Sequence, residues 1–136
     1  MDEQIRLQVI APSGAVYDGP VSYVQLPLEG GSVGILSHHA PLLGAVVEGV
    51  VRCTSGSEEH YIAVTHGVAH VADNTVTVLV SAAEQAQDID LARAVAAERR
   101  ARERLKIHGP GVDTVRAESA LHRALARQMA VRLMKK

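Results

Sequence analysis

The residues of this chain best suited to bind a ligand are its arginines, and their spacing is helical. Asp90, Arg93 and Arg100 stand at i, i+3 and i+10, which on one helix puts them within about 80° of each other around the axis. Arg123 and Arg127 form an i,i+4 pair further along. If the two segments fold back on each other as antiparallel helices, four guanidinium groups come together. Four like charges repel unless an anion lies among them, and the planar fork of arginine suits phosphate oxygens. On spacing alone the alternative stays open, that some of the four point to solvent or pair with glutamates.

The histidines suggest a different chemistry. Five of the seven, His38, His39, His60, His66 and His70, fall in the first 81 residues, and His66 with His70 has the i,i+4 spacing of a helical metal pair. Gly67 argues against a helix there. On a strand that spacing separates the two side chains by about 13 Å along one face, too far to chelate one ion together. Solvated or hydrogen-bonded surface histidines are the plainer reading. The chain has no nucleophile elbow, P-loop or GxGxxG sequence. Its single cysteine, Cys53, excludes a disulfide framework and a Cys-based zinc site, and reads as a small core hydrophobe in a reducing compartment.

The elements that must carry these residues divide the chain in two. At 136 residues it is long enough for one ordinary domain or two small units, and with 47% hydrophobic and 21% charged residues it can bury a core. Aromatic residues make up 2%, three Tyr with no Phe or Trp, so the core must be Val, Leu, Ile and Ala, and base-stacking platforms are scarce. Residues 1–81 hold two basic and eight acidic residues, residues 82–136 twelve basic and seven acidic. Nine of the 11 glycines also lie in the first part. The acidic start, Met1-Asp2-Glu3-Gln4, does not look like a targeting segment, and no apolar run approaches the roughly 18 residues of a membrane span; a soluble protein on the cytoplasmic side is expected.

Residues 1–81 read as short strands. Apolar and polar residues alternate in Ile5-Arg6-Leu7-Gln8-Val9 and in Thr75-Val76-Thr77-Val78-Leu79-Val80, the period of a half-buried strand. Further candidates are 21–26, 46–53, 60–64 and 68–71. Pro12-Ser13-Gly14, Asp18-Gly19-Pro20, Glu29-Gly30-Gly31, Ser55-Gly56-Ser57 and Asp73-Asn74 separate them as turns. The expected class is an antiparallel β-sandwich or barrel.

From Asp88 the period becomes helical. Ile89, Ala92, Val95 and Ala96 form an apolar stripe, with Asp88 or Asp90 as the N-terminal cap. His108-Gly109-Pro110-Gly111 stops this helix. A second follows over 113–134, capped by Asp113 or Thr114, with Ala117, Leu121, Leu125 and Met129 as its stripe. The short connection makes the two an antiparallel hairpin. Glu98, Glu103 and Glu118 stand among the arginines, which reads as a solvated face laced with i,i+4 pairs more readily than as a nucleic-acid surface. Such a narrow apolar stripe buries little against the entropy of ordering the backbone, so the hairpin must dock on something.

A β-sandwich followed by an Ala/Arg-rich hairpin in this length resembles the epsilon subunit family of bacterial F-type ATP synthases. Leu7-Gln8-Val9-Ile10-Ala11-Pro12-Ser13-Gly14 with Val16-Tyr17 is similar to the family's first hairpin, and Gly34-Ile35-Leu36-Ser37-His38-His39-Ala40-Pro41-Leu42-Leu43 to its signature loop. Ser37-His38 stands where the family usually has Pro-Gly. Tyr61-Ile62-Ala63-Val64, Gly67 and Val76-Thr77-Val78-Leu79 match later strands. The resemblance implies a rotor-binding sandwich over residues 1–86 and a regulatory hairpin over 87–136. It further implies a non-catalytic subunit held peripherally at the cytoplasmic side of the bacterial membrane, without inserting into it. The gamma subunit and the ring of c subunits would be met through Gly34, Ile35, His38, His39 and Pro41. The hairpin would permit turnover when compact and block ATP hydrolysis when extended into the alpha/beta catalytic head, through Arg116, Arg123, Arg127 and Arg132.

Ile89-Asp90-Leu91-Ala92-Arg93-Ala94 is also similar to the ATP-binding signature of some bacterial members. By that resemblance Glu84, Ile89, Asp90 and Ala94 surround the adenine and ribose, and Arg93, Arg100, Arg123 and Arg127 hold the phosphates. ATP would be a regulatory ligand that is sensed and not hydrolysed. The sequence offers no Walker lysine and no dedicated magnesium cage, which leaves a role for magnesium open. The competing readings are a small metal-dependent β-barrel enzyme, which should lose a tightly bound metal on His66→Ala or His70→Ala, and an Arg-rich nucleic-acid binder with steeply salt-dependent affinity.

Overall fold

A computed structural model describes residues 3–107 and 113–136. The chain runs through β1 (Ile5–Ala11), β2 (Gly14–Val21), β3 (Tyr23–Leu28), β4 (Gly31–Ile35), β5 (Leu42–Val46), β6 (Gly49–Ser55), β7 (Glu58–Val64), β8 (Gly67–Ala72), β9 (Thr75–Val80) and β10 (Ala83–Gln85). A single 3-10 turn (Ala86–Asp88) then leads to α1 (Leu91–Lys106) and α2 (Thr114–Met134). The class read from the sequence, a β-sandwich followed by two helices, is the class observed.

Strand pairing follows the order β10-β7-β6-β3-β5-β8-β9-β1-β2, with β4 added to β3. Its two ends approach each other: Gln85 Nε2 on β10 donates to the Val16 carbonyl on β2 at 2.7 Å. Curling this way lets strands distant in the order share one core, in which Leu7, Val9, Leu26, Val51, Ile62, Val76 and Val78 are fully buried. The alternation of β1 and β9 places the expected residues inside, while Arg6 and Leu79 face out. Cys53 belongs to this core, and burial pushes its thiol up to about 11.

Four local features differ from the sequence reading. β1 and β9 pair in parallel, Arg6 opposite Thr75 through Ile10 opposite Leu79, because the first strand inserts beside the last long one. Asp18-Gly19-Pro20 lies within β2, not in a turn; β2 ends the strand order, so a proline there removes no ladder bond on its free side. The candidate over 46–53 corresponds to β6, and β5, which shares only Val46 with it, was not among the candidates. β4 and β10, short and poor in alternation, had no sequence signal strong enough to mark them.

Asp73 and Asn74, both with positive φ (51° and 55°), make the two-residue turn between β8 and β9. Asn74 also organises the neighbouring loop: its Nδ2 donates to the Gln4 carbonyl and its Oδ1 accepts from the His38 amide, each at 2.8 Å. His38 itself has φ 60°, the left-handed conformation that glycine adopts without strain.

The helix starts follow the sequence closely. Asp90 Oδ1 accepts from the Arg93 amide at 3.1 Å and Asp113 Oδ1 from the Arg116 amide at 2.9 Å, each satisfying a donor left free at a helix N-terminus. The expected stop at 108–111 lies outside the described residues. The expected α1 stripe is displaced, and that of α2 holds at Ala117 but not at Met129. On α1 the buried residues are Ala94 and Ala101, while Ala92 and Val95 are exposed. On α2 they are Ala117, Ala124, Ala126, Gln128, Ala130 and Val131, and Met129 is 52% exposed. α2 touches α1 on one flank and the sheet on the other, so its buried arc is wide, and small residues let it approach both.

Gly67 closes the β8 end of the sheet. A Cβ there would collide with the Leu79 carbonyl oxygen and lie 2.8 Å from Val80 Cα, backbone atoms held by the β8–β9 ladder. Gly67→Ala should therefore destabilise the sandwich by about 1–3 kcal/mol, read as a lower urea midpoint with an unchanged slope.

Candidate functional site

The outer face of β6 and β7 is where the hairpin docks. Tyr61, Ala63, Ala86 and Ala130 form a small apolar cluster, with Val50, Ile89 and Leu133 packed against it. Beside this contact β10 pairs with β7, Ala83 opposite Val64 and Glu84 opposite Ala63, so Glu84 is held on a strand next to α2.

Between β7, β10 and the two helices lies a cleft of about 500 Å³, within the range of small-ligand sites. Its sandwich wall is Ala63, Val64, Thr65, Ala82, Ala83 and Glu84; its hairpin wall is Ala97 of α1 with Ala120, Arg123, Ala124 and Arg127 of α2. Thr65 sets the shape of the first wall. Its hydroxyl accepts from the Ala82 amide at 2.9 Å and lies 2.6 Å from Ser81 Oγ, tying the end of β7 to the segment that leads into β10.

The electrostatics of the cleft are one-sided. Arg127 Nε donates to Glu84 Oε1 at 3.1 Å, and Glu84 is the one carboxylate among the lining residues. Arg123 has no ion pair within the described residues. Arg93 and Arg100 lie four residues before and three after Ala97, the α1 residue that lines the cleft, and so share its side of the helix. The alanines leave room, and the arginines supply positive charge and directed donors: this is an arrangement for holding an anion with an apolar portion.

Comparison with known proteins gives the molecule its context. Residues 4–86 match the family model described as ATP synthase, Delta/Epsilon chain, beta-sandwich domain, and residues 87–131 that described as ATP synthase, Delta/Epsilon chain, long alpha-helix domain. The chain belongs to the ATP synthase delta/epsilon family. Similar relatives named ATP synthase epsilon chain include one from Desulfitobacterium hafniense, 43% identical over 93% of this chain and 95% of that protein. Another is from Symbiobacterium thermophilum, 42% identical over 93% and 91%, and a third from Bacillus licheniformis, 38% identical over 90% and 94%. A chain of the Euglena gracilis mitochondrial ATP synthase, OSCP/F1/c-ring, superposes with a TM-score of 0.82, covering 94% of this chain and 81% of that one. At 21% identity that likeness speaks for the fold alone. As an epsilon-type member of the delta/epsilon family the chain is a non-catalytic stalk subunit and not an enzyme by itself.

Against this delta/epsilon background the expected site residues divide into groups. Glu84, Arg123 and Arg127 meet in the cleft. Arg93 and Arg100 are exposed, about one turn to either side of Ala97 on α1, and neither lines the cleft. Asp90 is the α1 cap, Ile89 packs on the docking cluster, and Ala94 is fully buried between the helices; none of these three lines the cleft. Of the residues expected to meet rotor partners, Gly34, His38 and Pro41 are exposed and His39 is half-buried, but Ile35 is fully buried and serves the core. Of the expected inhibitory contacts, Arg116 is exposed, Arg132 bonds Gln128, and Arg123 and Arg127 face the cleft. Sequence reasoning did not single out Thr65, Ala82, Ala97 or Ala120; the only signal was the clustering of small residues at Ala82-Ala83 and along both helices. Among the described residues no three His, Cys, Asp or Glu are grouped to hold a metal ion, and no helix is long and apolar enough to cross a membrane.

Ala130 has no exposed surface at the centre of the docking contact. Ala130→Leu should weaken the docking of α2 by about 1–3 kcal/mol, the usual effect of overpacking. Trypsin would then cut the Arg-rich helices several-fold faster while a sandwich fragment persists, since cleavage follows the population of the opened state (roughly a tenfold rise per 1.4 kcal/mol).

Proposed function

We propose that this stalk subunit couples the catalytic head of the ATP synthase to its membrane ring and restrains ATP hydrolysis through its hairpin, with ATP as the ligand of the cleft. The observation that carries this reading is the two-sided wall: the sandwich supplies Glu84 and the hairpin supplies Arg123 and Arg127. A ligand in such a cleft fastens one to the other. Binding only to the compact form stabilises it by RT ln(1 + [L]/Kd), about 2.7 kcal/mol at a hundredfold excess over Kd. Low ATP would release the hairpin to extend into the alpha/beta head, where Arg116, Arg123, Arg127 and Arg132 would meet acidic segments. α2, with 21 residues, would reach roughly 30 Å.

The residues present fit this ligand. Arg123 and Arg127, joined by Arg93 and Arg100 from α1, suit the phosphates, and Glu84 can accept from a ribose hydroxyl or an exocyclic amine once Arg127 turns to phosphate. Asp90 starts α1 as its cap, Ile89 packs on the docking cluster and Ala94 is buried against α2, so these three would hold α1 in place beside the ligand without lining the cleft. With one carboxylate in the cleft, any magnesium would come with the nucleotide and not from a protein cage. The sandwich would turn with the gamma subunit and the c ring, reached through the loop carrying Gly34, His38, His39 and Pro41. The assembled subunit would sit peripherally on the cytoplasmic side of the bacterial membrane.

Calorimetry on the full chain tests the ligand. ATP should bind detectably, and Arg123→Ala with Arg127→Ala should weaken binding at least a hundredfold, since each charge-assisted hydrogen bond contributes about 1.5–3 kcal/mol. Equal heats for the two proteins would overturn the site.

Removing the chain from Asp88 onward tests the hairpin. The truncated subunit should still join the complex and support ATP synthesis, while ATP hydrolysis rises above that of the intact complex. Unchanged hydrolysis would place the restraint elsewhere.

A further inference from the structure

The seam between α1 and α2 is built of small residues, with one long polar side chain buried in it. Gln128 is 4% exposed. Its Nε2 donates to Glu98 Oε1 on α1 at 2.8 Å and faces the Ala94 carbonyl at 3.5 Å. Its Oε1 accepts from Arg132 Nη2, one turn further along α2, at 3.0 Å. The other oxygen of Glu98 accepts from Arg102 Nε at 2.7 Å. Hydrogen bonds from Gln128 and Arg102 hold the Glu98 carboxyl below the usual carboxylate range.

The outer links of this chain, Arg132 to Gln128 and Arg102 to Glu98, lie within one helix each and survive in any arrangement of the pair. Only the bonds made by the Gln128 amide cross the seam. They are also the ones whose loss leaves a group sequestered from water without a partner, the costly case for a polar side chain. The alanines around them, Ala94, Ala101, Ala117 and Ala124, bury too little apolar area to define the seam alone. Arg127, the preceding residue, points about 100° away around α2 and bonds Glu84 of the sandwich. Adjacent residues thus fix α2 to two different bodies.

We infer that Gln128 is a latch between α1 and α2 that acts without any ligand, setting how readily the hairpin opens, while the cleft sets how readily it leaves the sandwich. This rests on the reading of the hairpin as a switch. An anion in the cleft would engage Arg123 and Arg127 and leave the Gln128 bonds untouched, so the two controls are separate.

Hydrogen exchange of the full chain at pH 8, without nucleotide, tests the latch. Gln128→Glu keeps the shape of the side chain but sets a carboxylate against that of Glu98; α1 amides should exchange roughly tenfold faster or more, the weight of one hydrogen bond to a charged group, with sandwich amides unchanged. Combining Gln128→Glu with Glu98→Gln preserves composition and net charge and restores an amide donating to a carboxylate across the seam, now from α1 to α2. That double variant should return α1 to within about twofold of wild-type exchange. Wild-type protection in Gln128→Glu, or a double variant as unprotected as the single one, would overturn the proposal. No nucleotide is present, so the result is independent of whether the cleft binds ATP.

Discussion

The hairpin rests on the sandwich through a small cluster in which alanines are the best-buried residues, with Tyr61, Val50, Ile89 and Leu133 around them. Ala63 and Ala86 on one side and Ala130 on the other let α2 lie close to the sheet, but side chains of one carbon carry little hydrophobic free energy, about 0.8 kcal/mol for each buried group of methylene size. The sandwich core, by contrast, buries Ile, Leu and Val side chains at about 1.5–3 kcal/mol each. One half of the molecule is therefore held by its own apolar interior. The other half is close-fitting and buries less apolar surface, so a few directed polar contacts weigh more in fixing its position.

Those contacts use the charge asymmetry of the chain sparingly. The acidic sandwich and basic hairpin do not meet over a broad salt-bridged surface; most arginines of α1 stay in solvent, where an ion pair contributes little. The pairing is concentrated where α2 passes β10, at Arg127 and Glu84. Arg6 with Asp18 and Arg52 with Glu59 are internal to the sandwich. Arg102 is paired within α1 with Glu98, and Arg123 at the cleft has no ion pair within the described residues, so the positive charge of the hairpin is only partly neutralised.

Much of the fold could be read from the sequence because its physical signals are local. Period-two alternation marked β1 and β9, Asp73-Asn74 marked a turn, and Asp90 and Asp113 marked helix starts. What depends on distant parts of the chain could not be read that way. The parallel pairing of β1 with β9 has no local signature, and β4 and β10 are strands only because β3 and β7 offer them an edge. The α2 stripe was right at Ala117 and wrong at Met129, because a period analysis gives weight to large apolar residues while a close-packed seam buries alanine; on α1, where alanines recur on several faces, the period did not decide which of them would be buried. The arginines of the site were visible in their spacing, but Glu84 entered through the family resemblance. Gln128, one amide in an arginine-rich helix, gave no signal that it would be buried.

The parallel pairing also orders the birth of the molecule on the ribosome. β1 leaves the tunnel well before the neighbour that closes its inner edge, β9, which lies about 70 residues later, and contacts of such sequence separation make folding slow. Until then β1 can form only its hairpin with β2, leaving an apolar edge available to other chains. The sandwich can close once residues through Gln85 have emerged. The basic hairpin, synthesised after the strands, then meets a completed surface to dock on.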